Sequence, residues 1–194
     1  MSKIFCLMGK SATGKDTIYK KLCDLEKDRL QTIVTYTTRP IRAGETEGAE
    51  YHFTNEEGFE AFKASGKIIE DRAYNTVHGI WRYFTADDGQ IKDDGDYIII
   101  GTLEMFDGLR NYYGDERIVP LYIDVDDGIR LERALNREKK QETPKYKELC
   151  RRFLADCEDF SDEKLSKSGV NKSFINDDID TCISEIREYI TNNL

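Results

Sequence analysis

The stretch MGKSATGKDTI, Met8 to Ile18, constrains the chain more than any other segment. Gly9 to Lys15 has the spacing G-x-x-x-x-G-K. It follows a short apolar run, KIFCLM, which fits a buried strand. Ile18, Leu22 and Leu25 then recur at helical spacing. Strand, glycine loop and helix are therefore expected from residue 3 to about residue 29. Glycines let such a loop close into a nest of inward-pointing N–H groups, and the helix adds its positive end. Lys15 supplies a point charge for the outer phosphates. Gly9, Lys10, Ser11, Ala12, Thr13, Gly14, Lys15, Asp16 and Thr17 are the expected contacts of a nucleoside triphosphate.

Asp16 stands where such loops usually carry a hydroxyl for Mg²⁺. Two readings are open. Asp16 is a ligand of the metal, directly or through water, or it caps the helix. Thr17 keeps a hydroxyl one residue later.

The remainder alternates apolar runs with helical periodicity. YIIIG and RIVPLYIDV read as strands, the latter with Pro120 costing one ladder donor. TLEMFDGLRNYYG, GIRLERALNRE and KELCRRFLADCEDF read as helices, with Asp126 or Asp127 as a cap for the second. KSFIND is a short last strand, and Ile179, Cys182, Ile183, Ile186 and Ile190 form the apolar stripe of a closing helix. This order implies an α/β fold with a parallel sheet between helical layers. Residues 31–84 are different: β-branched and turn-rich, with a helix NEEGFEAFKASG capped by Asn55 and ended by Gly66, then the strands KIIEDRAY and GIWRYF. They read as a mixed-β insertion. The expected parts are a core of 1–34 and 85–194, an insertion of 35–84, and a lid of 136–150 around the polar, proline-broken KKQETPK.

Composition narrows the function. A net charge of -9 argues against nucleic acid or an anionic membrane as the main partner. Five scattered cysteines without a C-x-x-C pair, and two histidines, offer no zinc set and suit reduced thiols in a cytoplasm. No stretch has the length of a membrane span.

TYTTRPIRAGETEGAEYHF places Arg39 and Arg42 around Pro40, with Tyr51 nine residues beyond Arg42. Alone these are solvated loop arginines; beside a phosphate loop they suggest a second phosphate site. With Glu70 and NTVHG following, the run T-T-R-x-x-R-x-G-E-x-x-G-x-x-Y-x-F resembles guanylate kinases, of the nucleoside-monophosphate kinase group. The resemblance extends over essentially the whole chain. It implies transfer of the γ-phosphoryl of ATP to GMP with Mg²⁺, in a monomer or weak homo-oligomer, by a core, a GMP-binding mixed-β part and a lid. By the same resemblance Arg39, Arg42 and Tyr51 hold the GMP phosphate, and Arg39 also serves catalysis beside Lys15. Thr35 touches guanine, Glu70 accepts from its N1 and N2 groups, and His78 and Gly79 stand at the phosphate-binding tyrosine and its glycine.

Two stretches depart from the pattern. IIGTLE replaces an L-D-x-D pair, leaving Glu104 as the nearest acid, and Ile80 stands where a second serine approaches guanine. Losing these groups is expected to relax base selectivity. On GIRLERALNRE, Leu131, Ala134 and Leu135 share one face, and Arg130, Arg133 and Arg137 the roughly opposite one. Arg130 reads as a solvated surface residue. The resemblance assigns Arg133, Arg137 and Arg152 to the transferred phosphate and the adenine, with Arg137 and Arg152 catalytic. The competing readings are a monophosphate kinase of different or broader base preference and a non-catalytic interaction module of the same fold. Retention of Lys15, Arg133, Arg137 and Arg152 speaks against the module.

Overall fold

The computed structural model describes residues 2–76 and 79–194. The chain opens with β1 (Ile4–Gly9), buried throughout, and the glycine loop leads into α1 (Lys15–Leu25). After β2 (Leu30–Thr32) it leaves the main sheet for β3 (Tyr36–Thr37), β4 (His52–Phe53), α2 (Glu56–Ala64), β5 (Ile68–Thr76) and β6 (Gly79–Ala86). It returns with β7 (Asp96–Gly101), α3 (Leu103–Tyr113), β8 (Ile118–Asp124), α4 (Asp127–Glu138), α5 (Tyr146–Asp159), α6 (Asp162–Lys167), β9 (Ser173–Ile175) and α7 (Ile179–Asn193).

The main sheet is parallel, in the order β2-β7-β1-β8-β9. Alternate side chains of β1 point to opposite faces, as a pleated strand requires. Ile4, Cys6 and Met8 pack against Leu103, Met105, Phe106 and Leu109 of α3 and against Phe160 and Leu165. Phe5 and Leu7 pack against Ile18 and Leu22 of α1 and Cys182, Ile183, Ile186 and Ile190 of α7. The result is the expected three-layer α/β core. Burial pushes the Cys6 thiol up to about 12, so it is an inert core group. Pro120 of β8 lies opposite Cys6 of β1 and before the Tyr122–Asp124 stretch that pairs with β9.

The second sheet has the order β4-β3-β6-β5 and mixes parallel with antiparallel pairs. Its outer face closes on α2 through Phe59, Phe84 and Ala86. Asn55 caps α2 by accepting from Gly58 N at 2.9 Å, and Gly66 takes a left-handed φ of 68° just past the helix end.

Several expectations change. QTIVTYTTRP divides between the two sheets: β2 belongs to the main sheet and β3 to the small one. α6 was not apparent from periodicity, because only Leu165 of its residues is buried. Leu25 is exposed. Asp126, not Asp127, caps α4, accepting from Gly128 N and Ile129 N. On α4, Ala134 is buried and Arg137 exposed as expected, but Arg130 is buried and Leu131 is exposed. Burial of Arg130 follows from two carboxylates and a carbonyl that await it beneath the helix, as described below.

Candidate functional site

The glycine loop sits at the carboxyl end of β1, where open parallel sheets bind ligands. Ala12 and Gly14 both adopt positive φ, 65° and 86°, which turns successive N–H groups inward. Close approach fixes the glycines: a Cβ on Gly9 would lie 2.5 Å from Ile123 O, and one on Gly14 2.5 Å from Asn176 Nδ2. Asn176 ties the loop to the sheet, donating from Nδ2 to Thr13 O at 2.7 Å and from its amide to Asp124 O at 3.0 Å. Thr13 Oγ1 donates to Lys10 O at 2.9 Å, bracing the turn from inside.

Gly14 is the N-cap of α1, so no side chain accepts from the amides of its first turn. That is the condition in which a helix end takes an anion. The capping reading of Asp16 is thereby set aside. Its carboxylate is 79% exposed, 4.0 Å from Lys15 Nζ.

Two helices reach down to Ser11. Its amide donates to Asp156 Oδ2 of α5 at 2.8 Å, its carbonyl accepts from Arg130 Nη1 of α4 at 3.1 Å, and its hydroxyl accepts from Arg152 Nη2 at 3.2 Å. Arg130 also pairs with Asp127 at 2.8 Å and Asp156 at 3.6 Å and lies 4.5 Å over the Phe153 ring. It is 1% exposed, so the expectation of a solvated arginine is corrected: Arg130 braces the phosphate loop. Lys10 Nζ adds a contact to Asp127 at 3.3 Å.

Across the molecule, Arg39 is buried and held by Glu45 through two parallel bonds, Nη1–Oε2 at 2.7 Å and Nη2–Oε1 at 2.5 Å. Its guanidinium lies 5.0 Å from the Tyr51 ring and 5.4 Å from Phe53. Arg42 stacks toward Trp81, 6.0 Å from its ring. Glu70 accepts from Thr85 Oγ1 at 2.7 Å and Arg72 Nε at 3.0 Å. Its backbone is set against α3, where Gly108 leaves room: a Cβ there would meet Glu70 Cβ at 2.5 Å.

A cleft of about 1970 Å³ joins the two halves. Gly9, Ser11 and Lys15 line one wall, and Arg42, Tyr51 and Glu70 the other, with Arg152 above. Thr35 is buried, and its carbonyl accepts from His52 N at 2.8 Å. Gly79 has φ 105° and closes the β5–β6 hairpin on Thr76. His78 lies outside the described residues. Ile80 pairs with Asn75 near the hairpin tip and is 53% exposed, remote from Glu70 along the strand. The hydroxyl beside Glu70 comes instead from Thr85, its cross-strand partner.

α4 and α5 form a helical hairpin beside the loop. Arg137, Arg152, Lys145, Glu148 and Phe153 surround a hollow of about 170 Å³ that opens next to Ser11. Arg133 instead donates to Asn176 O at 3.2 Å, joining the brace beneath the loop.

Residues 1–80 match the family model described as guanylate kinase. The guanylate kinase of Caldanaerobacter subterraneus subsp. tengcongensis is 29% identical over 188 residues, covering 96% of this chain and 85% of that protein. That of Porphyromonas gingivalis is 23% identical over 197 residues, covering 98% and 97%. The crystal structure of guanylate kinase from Anaplasma phagocytophilum has the same fold, with a TM-score of 0.67 at 19% identity over 98% of this chain and 85% of that one.

This chain is similar to the guanylate kinases over nearly its whole length.

The family match ends at residue 80, and several residues that shape this guanylate-kinase-like site lie after it: Thr85, Arg130, Asp156 and Asn176. Arg72 lies within it and was also missed. Charged residues inside a strand or on a helix read as solvent-facing unless the packing around them is known: Ser11 and Asp156 are distant from Arg130 in the chain, and α3 packs Arg72 against Thr102. Among the described residues no three His, Cys, Asp or Glu side chains form a metal cage, and no helix is long and apolar enough to cross a membrane.

Proposed function

We propose that this chain transfers the γ-phosphoryl group of ATP to GMP, giving ADP and GDP. The observation that carries the reading is the one cleft that has Lys15 of the phosphate loop on one wall and Arg42, Tyr51 and Glu70 on the other. ATP lies with its phosphates in the loop, against the free amides at the start of α1 and Lys15. Arg42 and Tyr51 take the GMP phosphate, and Arg39, fixed by Glu45, adds positive charge behind them. Glu70 keeps acceptor capacity for the base, since a carboxylate offers about four acceptor positions.

Transfer needs no covalent intermediate. An oxygen of the GMP phosphate attacks the γ-phosphorus in line, that P–O bond forms as the bond to the ADP oxygen breaks, and charge spreads over the equatorial oxygens. Lys15, Arg137 and Arg152 stabilise that charge. Closure of the 136–150 lid brings Arg137 over the phosphates, beside Arg152 at Ser11, and excludes water, which would otherwise consume ATP by hydrolysis. Arg133, through Asn176, holds the loop that the phosphates occupy. The lone exposed carboxylate of Asp16, with Thr17 beside it, suits Mg²⁺, an ion that keeps waters and phosphate oxygens rather than requiring an all-protein cage. Bound there, it would neutralise phosphate charge. The remaining expectations belong to the same proposal: core, insertion and lid as separate moving parts, and a monomer or weak homo-oligomer in the cytoplasm, with neither nucleic acid nor membrane as partner.

The test is a coupled ADP-release assay with GMP, dGMP, IMP, AMP, UMP and CMP. The expected result is the highest kcat/KM for GMP. Turnover with none of them contradicts the proposal.

A further inference from the structure

Glu70 and Arg72 extend from the same face of β5 into the cleft, opposite Thr102 at the start of α3. Both side chains are nearly buried, 6% and 9% exposed. Arg72 makes one short bond, from Nε to Glu70 Oε2 at 3.0 Å. Its terminal nitrogens do less well. Nη1 reaches Thr102 Oγ1 at 3.3 Å, and Nη2 reaches Glu70 Oε1 at 3.4 Å and Met105 Sδ at 3.5 Å. Buried guanidinium groups ordinarily find oxygen acceptors at about 2.7–2.9 Å, and a thioether is a weak acceptor. The Nη edge of Arg72 is thus a buried donor edge that borders the cleft and is held only by long contacts, with the Tyr74 hydroxyl as a further neighbour. Burial alone would lower the pKa of Arg72, but Glu70, Tyr74 and Glu104 together offset this and raise it, so the cation persists.

We infer that Arg72 determines base specificity by donating from its Nη edge to the 6-keto oxygen of a purine monophosphate, while Glu70 accepts from the N1 and N2 hydrogens. This rests on the GMP reading above and adds a residue to it. A planar fork beside a carboxylate presents donors and acceptors in adjacent positions, which complements a keto oxygen next to an N1–H. Arginine meets guanine O6 and N7 in this manner elsewhere. Glu70 has room for its share: Thr85 occupies one position on Oε1 and Arg72 Nε one on Oε2, and the long Nη2 contact to Oε1 at 3.4 Å is given up when Nη2 turns to the keto oxygen. A 6-amino purine would instead turn N–H donors toward a buried cation and leave it without an acceptor, which is strongly disfavoured. The absence of aspartates in IIGTLE fits the same picture. Thr102 occupies that region and orients the fork rather than competing for it.

The experiment measures kcat/KM for GMP, 6-thio-GMP and IMP with the wild type, Arg72→Met and Arg72→Lys. 6-Thio-GMP replaces only the keto oxygen by a poorer acceptor, and IMP removes only the N2 group. The wild type is expected to prefer GMP over 6-thio-GMP by about 10-fold or more. Both variants should lose most of that preference, while their GMP-to-IMP ratio, which reports Glu70, stays near the wild-type value. Arg72→Lys keeps the charge beside Glu70 and removes only the fork, so it carries the test if Arg72→Met does not fold. No preference in the wild type, or an unaltered GMP-to-6-thio-GMP ratio in the variants, overturns the inference and leaves the kinase reading intact. No turnover with GMP in the wild type overturns both.

Discussion

Arg39 and Glu45 form a two-bond fork, with nitrogen–oxygen distances of 2.7 and 2.5 Å, inside the segment proposed to bind the monophosphate. Arg42 N donates to the same carboxylate at 2.8 Å, so Glu45 organises both arginines of the cluster. Hydrogen bonding from Arg39 is the main cause that holds the Glu45 carboxyl down at about 2, against an ordinary 4.5. A depressed acid stabilises the fold fully above its unfolded value and loses that contribution as pH falls toward its folded value. The melting-temperature gap between wild type and Glu45→Gln is therefore expected at pH 7 and should close as pH falls from 4.5 toward 2. A gap independent of pH would show that the fork contributes nothing through its charge.

Gly108 of α3 is predicted to be intolerant of a side chain because of Glu70, whose Cβ would lie 2.5 Å from the added carbon. Gly108→Ala displaces the base-reading carboxylate. We expect kcat/KM for GMP to fall by about 10- to 100-fold, the cost typical of an ångström-scale misplacement, with the KM for ATP little changed. Steady-state kinetics with each substrate varied in turn will decide; equal effects on both substrates would mean that α3 shifts as a whole.

Arg130→Met removes the donor to Ser11 O and the cation shared by Asp127 and Asp156. Because Asp127 is half exposed, the loss is discounted to about 2 kcal/mol of stability. The KM for ATP should rise as well, since Ser11 belongs to the phosphate loop. Urea unfolding and ATP titration check both, and a variant as stable as wild type would restore the solvated reading of this arginine.

Arg137 is exposed on the lid hairpin, beside the hollow above Ser11. Arg137→Ala is expected to lower turnover by about 10²-fold or more, with a smaller effect on ATP binding. A loss of under about threefold would remove it from the transfer step.

The phosphate loop and the parallel sheet were legible because their signals are local. A glycine spacing, a run of buried apolar residues and a 3.6-residue stripe each sit within one element, as in β1, β7 and α7. The site was legible only where the chemistry was contiguous, as from Thr35 to Tyr51. Arg130 and Arg72 were not, since a charged residue on a helix or strand looks solvent-facing until the distant groups that cover it are known, Asp156 for Arg130 and Thr102 of α3 for Arg72. On α4, Arg130 rather than Leu131 is buried for the same reason: its ion network with Asp127 and Asp156 outweighed the burial of Leu131. Thr85 was missed because its role depends on the β5–β6 register, which places it opposite Glu70 while sending Ile80 to the hairpin tip.

The most direct measurement follows the label from [γ-³²P]ATP in the presence of Mg²⁺ and GMP. Recovery of the label in GDP, with little in inorganic phosphate and none transferred by Lys15→Met, is what two phosphate sites meeting in one cleft predict. Label appearing only in inorganic phosphate, or remaining in ATP whatever monophosphate is supplied, would contradict it.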